Sequence, residues 1–279
     1  MLISDYRKQL KQRLIELSPE GDVMTDILMC EALGVSRGVF YTNLLAEMPI
    51  AAAERINGYV ADLMTGIPLQ YVLGKCHFYG CEVKVGPGCF IPRSDTEVIV
   101  KTALAALPVG GRFADICSGS GCIPLAIVSQ KPTVSGVALE LSRKALPYTE
   151  HNLKNKNVNV IRFDALDEDD YTALAKSEGL FDVVTCNPPY IPTDDIPMLS
   201  TEVLCEPESA LDGGEDGLRY YRIITSLLPH ILKPDGTVVY EVGYDQASAV
   251  SQILKDAGFA VGVAKDMGGI ERCVFAKRC

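Results

Sequence analysis

From about residue 94 onward, short runs of β-branched and aromatic residues alternate with segments of helical period. That alternation constrains the fold more than any other feature of the chain. Strand candidates fall at 112–117, 134–139, 158–163, 181–186, 237–242, 259–264 and 273–276. Helical segments at 96–106, 123–129, 143–155, 218–228 and 248–257 separate them. Strands joined through helices imply a parallel sheet covered on both faces, because parallel neighbours need a long crossover. The last two strand candidates are joined only by Asp266-Met267-Gly268-Gly269. A turn that short implies a hairpin, and hence one antiparallel strand at the end of the sheet.

Residues 1–73 have a different texture. Tyr6, Leu10, Leu14 and Leu17 recur at helical spacing, residues 24–33 and 51–64 repeat the pattern, and breaks fall at Ser18-Pro19, Gly34 and Met48-Pro49. With no strand-like alternation, this reads as a small helical bundle. Residues 77–90 contain Phe78-Tyr79-Gly80 and then an alternating run ended by Gly86-Pro87-Gly88, which reads as a hairpin bridging two domains. The expected organisation is a helical domain over 1–73, a hairpin linker over 74–93 and an α/β domain over 94–279.

Composition removes other classes. With 279 residues, 48% of them hydrophobic and 22% charged, the chain can build a core without staples. The longest apolar stretch, residues 122–128, is interrupted by Pro124 and falls far short of the roughly 20 residues a membrane span needs. Residues 1–17 lack the apolar core of a secretory signal, and Asp5 and Glu16 argue against a transit peptide, so a cytoplasmic location is expected. Ten scattered cysteines without a C-x-x-C pair, beside only three histidines, read as small buried thiols, and no metal is expected. The net charge is −10, and residues 1–75 carry 7 basic and 9 acidic residues. Such a balance disfavours phosphate-driven nucleic-acid binding and suits a small molecule or a basic protein partner.

Four features carry chemistry. Asp115-Ile116-Cys117-Ser118-Gly119-Ser120-Gly121 follows the first strand of the α/β region and precedes a helix. Its glycines permit a sharp turn and close approach to a ligand. The G-x-G pattern stops at Pro124, and Asp115 would repel a pyrophosphate, so the loop suits a cationic ligand such as the ammonium end of S-adenosylmethionine. Glu140 ends the second strand, where a carboxylate can accept both ribose hydroxyls. Asp164, followed by Ala165, ends the third and in such a fold lies beside the adenine. The neighbouring run from Asp167 to Asp170 reads as a solvated face.

The fourth feature is Asn187-Pro188-Pro189-Tyr190, directly after the strand at 181–186. Two prolines stop the strand and stiffen the loop. The Asn187 side-chain oxygen and the Pro188 carbonyl present two acceptors, matched to the two hydrogens of a planar NH2 group. Tyr190 supplies an aromatic face for the plane behind that group.

This motif on the strand-four loop is similar to that of class I methyltransferases acting on exocyclic NH2 groups, and the strand pattern likewise resembles the class I (Rossmann-like) methyltransferase fold. Over essentially the whole chain the sequence resembles the peptide chain release factor glutamine methyltransferases (the HemK/PrmC family). The match runs through Gly66-Ile67-Pro68-Leu69-Gln70-Tyr71, Phe90-Ile91-Pro92-Arg93-Ser94-Asp95-Thr96-Glu97, Glu206 to Leu211, Gly213 to Leu218, Tyr221-Arg222, Glu241-Val242-Gly243 with Gln246, and Asp266 to Arg272. Departures are few. Cys117-Ser118 stands where Gly-Thr is usual, Ser94 where proline is common and Glu140 where aspartate is usual.

The resemblance implies methyl transfer from S-adenosyl-L-methionine, leaving S-adenosyl-L-homocysteine, to the glutamine side-chain amide of a Gly-Gly-Gln motif in class 1 release factors. It implies cofactor contacts from Asp115, Cys117 to Gly121, Glu140, Asp164, Ala165 and Asn187. Substrate contacts fall to Asn187, Pro188, Pro189, Tyr190 and Arg93, with Asn187, Pro188 and Tyr190 at the chemistry. Arg93 and Glu97 are expected to line the same pocket, unless they form an i, i+4 pair in solvent. The helical domain would dock the release factor, in a monomer that binds neither nucleic acid nor membrane. The alternatives are an adenine or guanine amino-methyltransferase, which should carry a basic groove, and a non-catalytic cofactor-binding scaffold.

Overall fold

The computed structural model describes residues 1–278 and divides into two compact units, Met1–Gly74 and the chain from Lys75 onward. The first unit is all-helical: α1 (Ile3–Leu17), α2 (Gly21–Leu33), α3 (Arg37–Thr42), α4 (Ile50–Met64) and α5 (Leu69–Leu73). Leu10 and Leu14 of α1 meet Leu28 and Met29 of α2, Phe40 of α3 and Ile56 of α4 in one core, whereas Leu17 is exposed. Gly21 is dictated by packing: a Cβ there would lie 2.4 Å from the Leu14 backbone. Helices α3 and α5 are too short to show a period. Ser36 starts α3 by accepting the Val39 N–H. Inside this unit the buried Asp26 accepts Arg7 Nε at 2.8 Å and Arg37 Nη2 at 3.0 Å, so its charge is paired rather than stranded.

The second unit opens with the antiparallel hairpin β1 (Lys75–Phe78) and β2 (Cys81–Lys84). The hairpin exists as expected, but its turn is Tyr79-Gly80, both at positive φ (48° and 77°), and not Gly-Pro-Gly, which follows the second strand. Two consecutive positive φ values give a turn whose twist matches the strands. Asn152 holds β2 in place, donating to the Lys84 carbonyl and accepting its N–H at 2.9 and 2.8 Å.

A seven-stranded sheet follows, comprising β3 (Arg112–Ile116), β4 (Ser135–Glu140), β5 (Val158–Arg162), β6 (Phe181–Cys186), β7 (Leu232–Glu241), β8 (Phe259–Lys265) and β9 (Glu271–Arg278), in the order β5-β4-β3-β6-β7-β9-β8. Strands β3 to β7 are parallel, and β3, β4 and β6 are buried almost throughout, as strands covered on both faces must be. The antiparallel strand β9 is last in sequence but not at the edge. It lies between β7 and β8, because the hairpin folds back into the gap beside β7. Gly136 lets β4 pass the Phe113 ring, which a Cβ would approach at 2.6 Å.

Helices α6 (Glu97–Ala106), α7 (Cys122–Gln130), α8 (Leu146–Asn152), α9 (Glu168–Glu178), α10 (Thr201–Leu204), α11 (Arg219–Leu227) and α12 (Ala247–Asp256) complete the unit. The acidic run expected to be a mere solvated face begins α9. Asp167 caps it by accepting the Asp169 N–H, three acids occupy the first turn where the helix dipole favours them, and Tyr171 and Leu174 are buried. Strand order reverses between β3 and β6, and the carboxyl ends of strands at such a switch point form the usual ligand crevice of an α/β sheet. No helix among the described residues is long and apolar enough to cross a membrane. Cys89, Cys122, Cys186 and Cys273 are buried as expected, but Cys205 is exposed.

Candidate active site

A cleft of about 420 Å³ opens at the carboxyl ends of β3 to β6, a size within the usual range for small-molecule sites. It gathers Arg93, Cys117, Ser118, Gly119, Ser120, Glu140, Asp164, Ala165, Asn187, Pro189 and Tyr190 in its wall. Asp115, Gly121 and Pro188, expected in the same site, do not line it.

The loop after β3 is fastened from below and from the side. The Ser118 N–H donates to the Leu139 carbonyl at 3.0 Å, Thr149 Oγ1 donates to the Gly119 carbonyl at 2.6 Å, and Asn152 Nδ2 donates to the Ser120 carbonyl at 2.9 Å. Gly119 and Gly121 both adopt positive φ, and a Cβ on Gly121 would press Thr149 at 3.1 Å. Cys117 also has positive φ (59°), a costly conformation for a residue with a side chain. The Ser120 hydroxyl is buried at the cleft without a hydrogen-bond partner, a polar atom that a ligand would satisfy.

Asp115 requires a correction. It was expected to face a cationic ligand, but its side chain is fully buried beneath the loop. It accepts hydrogen bonds from Ser118 Oγ and from Thr185 Oγ1, its register neighbour on β6, the latter at 2.6 Å. Strand register turns the carboxyl into the sheet, so it props the loop and does not line the cleft. Burial pushes its pKa up to about 7, against the pull of the Ser118 and Thr185 hydrogen bonds. The folded state therefore holds this proton more tightly than the unfolded chain. The resulting stability is complete below about pH 4 and is lost as pH rises through 7. Asp115→Asn removes the titration. In urea unfolding, the stability of the variant relative to wild type should shift by about 2–3 kcal/mol in its favour between pH 5 and pH 8. A difference that stays constant with pH would refute the assignment.

Glu140 ends β4 with 8% of its surface exposed. Its Oε2 accepts the Gly119 N–H and its Oε1 the Ser142 N–H, both at 2.7 Å. Burial raises its pKa while these backbone donors oppose the rise. Each oxygen keeps a further lone pair for a ligand hydroxyl. Asp164 lies beside Phe163 and Ala165 in the cleft wall. Its Oδ1 accepts the Leu166 N–H at 2.9 Å, and its own N–H donates to Asp170 at 2.7 Å, so an acid first read as solvent-facing helps to set this corner.

The Asn187–Tyr190 loop leaves β6 with Pro188 and Pro189 buried. Its far side is wrapped by the segment from Glu206 to Leu218, and close packing explains the glycines there. A Cβ on Gly213 would lie 2.7 Å from the Tyr190 Cα, and one on Gly217 2.3 Å from the Tyr190 carbonyl oxygen. Gln246 Nε2 donates to that carbonyl at 2.8 Å. Arg93 lines the cleft but pairs with the buried Glu206, which also accepts the Ile91 N–H at 2.9 Å. Glu97, expected beside Arg93, is instead committed to the Tyr79 N–H at 2.9 Å and is not in the cleft wall.

Sequence reasoning assigned no role to Thr96, Thr185, Glu206 or Glu241. A charged residue closing the apolar run of β7 was the available signal for Glu241. For the others only spatial contact reveals the role.

A glycine-turned loop, a strand-end carboxylate and a second acid around one cleft match the donor set that an adenosyl sulfonium compound requires. A family model described as PrmC N-terminal domain matches residues 2–74, and one described as Methyltransferase small domain matches residues 94–216. The chain is 35% identical over 257 residues to a release factor glutamine methyltransferase of Thermodesulfovibrio yellowstonii, covering 90% of each chain. It is 37% identical over 254 residues to that of Geobacter sulfurreducens (90% of this chain, 87% of the relative), and 35% identical over 269 residues to that of Caulobacter vibrioides (95% and 92%). In fold it is like a methyltransferase from Pyrococcus furiosus, with a TM-score of 0.52 at 15% identity over 81% of this chain and 97% of the other. With full-length relatives of this similarity and a methyltransferase sheet around the cleft, the chain belongs to the release factor glutamine methyltransferase family of S-adenosylmethionine-dependent enzymes.

Proposed function

We propose that the protein methylates the side-chain amide nitrogen of the glutamine in the Gly-Gly-Gln motif of class 1 peptide chain release factors. The observation that carries this reading is the position of Asn187 in the cleft wall, at the end of β6, with Pro189 and Tyr190 beside it. S-adenosylmethionine, when bound, supplies an electrophilic methyl group on a sulfonium.

The residues present would share the work. Glu140 would accept the ribose hydroxyls, Asp164 would accept from the adenine amine, and the Cys117–Ser120 loop would wrap the amino-acid end. Asn187 Oδ1, in the cleft wall, would accept one hydrogen of the target amide, and the carbonyl of the adjoining Pro188, which is not part of that wall here, would have to reach the second when the glutamine is seated. An amide nitrogen is a weak nucleophile, because its lone pair is delocalised. No histidine or lysine occurs among the described residues of the cleft wall, so the work assigned to the chain is orientation rather than proton abstraction. Orientation of this kind can contribute about 7–11 kcal/mol. Two carbonyl oxygens beside the nitrogen also stabilise the positive charge that develops there. Arg93, held by Glu206, would meet the release-factor segment at the mouth, and the helical unit would dock the rest of that partner, with the protein acting as a monomer.

The test is a labelling experiment with methyl-tritiated S-adenosylmethionine, offered a class 1 release factor, the same factor with its Gly-Gly-Gln glutamine replaced by alanine, and DNA or RNA. Label should appear in the first alone. Label in nucleic acid, or equal label in the alanine variant, would overturn the proposal.

A further inference from the structure

Asn187 can serve as an acceptor only if its amide is turned the right way, since a flipped amide would present NH2 to an NH2. Glu241 ends β7, the strand beside β6, one residue past the Tyr240 that pairs with Cys186, and is 2% exposed. Asn187 Nδ2 is directed to Thr96 Oγ1 at 3.5 Å, and both side chains are near enough to the Glu241 carboxyl to pull its pKa down. Thr96 is itself 1% exposed. Glu241 Oε2 is buried with no hydrogen-bond partner, so the carboxyl has acceptor capacity to spare.

We infer that Glu241, directly and through Thr96, is a positioning residue that fixes the flip of the Asn187 amide, committing its NH2 inward and its oxygen to the substrate. The argument is one of donor inventory. An ionised carboxylate only accepts, so every group facing it must donate. A Thr96 hydroxyl that turns its one hydrogen toward this carboxyl keeps a lone pair for Asn187, which must again donate. Both contacts demand the NH2 end of Asn187, and the Oδ1 end is left for the cleft. The other titratable groups whose charge acts on or is acted on by the carboxyl are Arg272, itself paired with Asp95 at 3.4 Å, and Asp95, the Tyr190 and Tyr221 hydroxyls and the Cys186 and Cys273 thiols. Burial pushes the Glu241 pKa up to about 7, while the Thr96 contact and the Arg272 charge pull it down, so the carboxylate form dominates at pH 8.

This inference rests on the role proposed for Asn187, and the experiment separates the two. Glu241→Gln, Thr96→Val, Asn187→Ala and the double variant E241Q/N187A are compared at pH 8 for kcat, for KM toward release factor and for cofactor Kd. The Asn187 side-chain 15NH2 resonances, assigned by their loss in N187A, are followed in the full-length protein. E241Q should lower kcat roughly 10- to 100-fold, the scale of a small misplacement at a reacting centre, with KM and cofactor Kd little changed. T96V should act in the same direction, and both variants should shift the Asn187 NH2 signals. In the N187A background E241Q should cost almost nothing further, because there is no amide left to orient. An E241Q effect equally large in the N187A background, or unshifted Asn187 signals, would overturn the inference. Shifted signals in E241Q together with wild-type turnover in N187A would support the orientation while refuting the function proposed for Asn187.

Discussion

Asn187→Ala lowers turnover about 10³-fold and leaves the Kd for S-adenosylmethionine within about threefold of wild type; this is the expected result if the side-chain oxygen acts on the target amide. The loop around it is secured independently. Pro188 and Pro189 fix the backbone, Gln246 grips the Tyr190 carbonyl, and Gly213 and Gly217 let the covering segment close against it. Removing one polar side chain therefore should not unfold the loop. The cleft surfaces assigned to the cofactor, Glu140 and the Cys117–Ser120 loop, belong to other strands. Single-turnover kinetics beside calorimetric cofactor titration check this. Equal losses in binding and turnover would mean that Asn187 holds the cofactor instead of the substrate.

Glu140→Ala should weaken cofactor binding about 10²-fold or more, with a much smaller change in turnover at saturation. Two effects add. The carboxylate loses its two expected hydrogen bonds to ribose hydroxyls, each strong because one partner is charged. The Gly119 and Ser142 N–H groups also lose their acceptor, so the glycine loop is loosened from beneath. Glu140→Asp separates these terms, because a shorter carboxylate can still reach one set of partners. Calorimetric titration of the two variants reads the difference. Cofactor affinity unchanged in Glu140→Ala would exclude this strand end from the site.

The sheet was legible because its central strands are buried on both faces and so read as continuous apolar runs between helices. The strand at 181–186 matches β6 to the residue, and the prolines that stop it are local in sequence. Legibility ended where spatial order departs from chain order. The hairpin of β8 and β9 was plain, but nothing in its residues says that β9 inserts beside β7. Helix α9 was hidden because its first turn is acidic, although acids there favour a helix N-terminus.

The same distinction divides the site. Asn187, Glu140 and Asp164 follow directly from where their strands end. Asp115 was misplaced because its carboxyl is buried beneath the loop, bonded to Ser118 and Thr185, and not in the cleft wall. The partner of Arg93 stands 113 residues away, and Thr96 stands 91 residues from Asn187. No local spacing encodes such pairs, so the sequence offered Glu97 as a neighbour for Arg93 where the fold supplies Glu206.

A structure of the protein with a class 1 release factor and S-adenosyl-L-homocysteine tests the central claim most directly. Asn187 Oδ1 and the Pro188 carbonyl oxygen should both lie within about 3.2 Å of the target glutamine Nε2, with that nitrogen facing the sulfur. A glutamine bound with either oxygen pointing elsewhere, or with its carbonyl turned toward Asn187, would contradict the account.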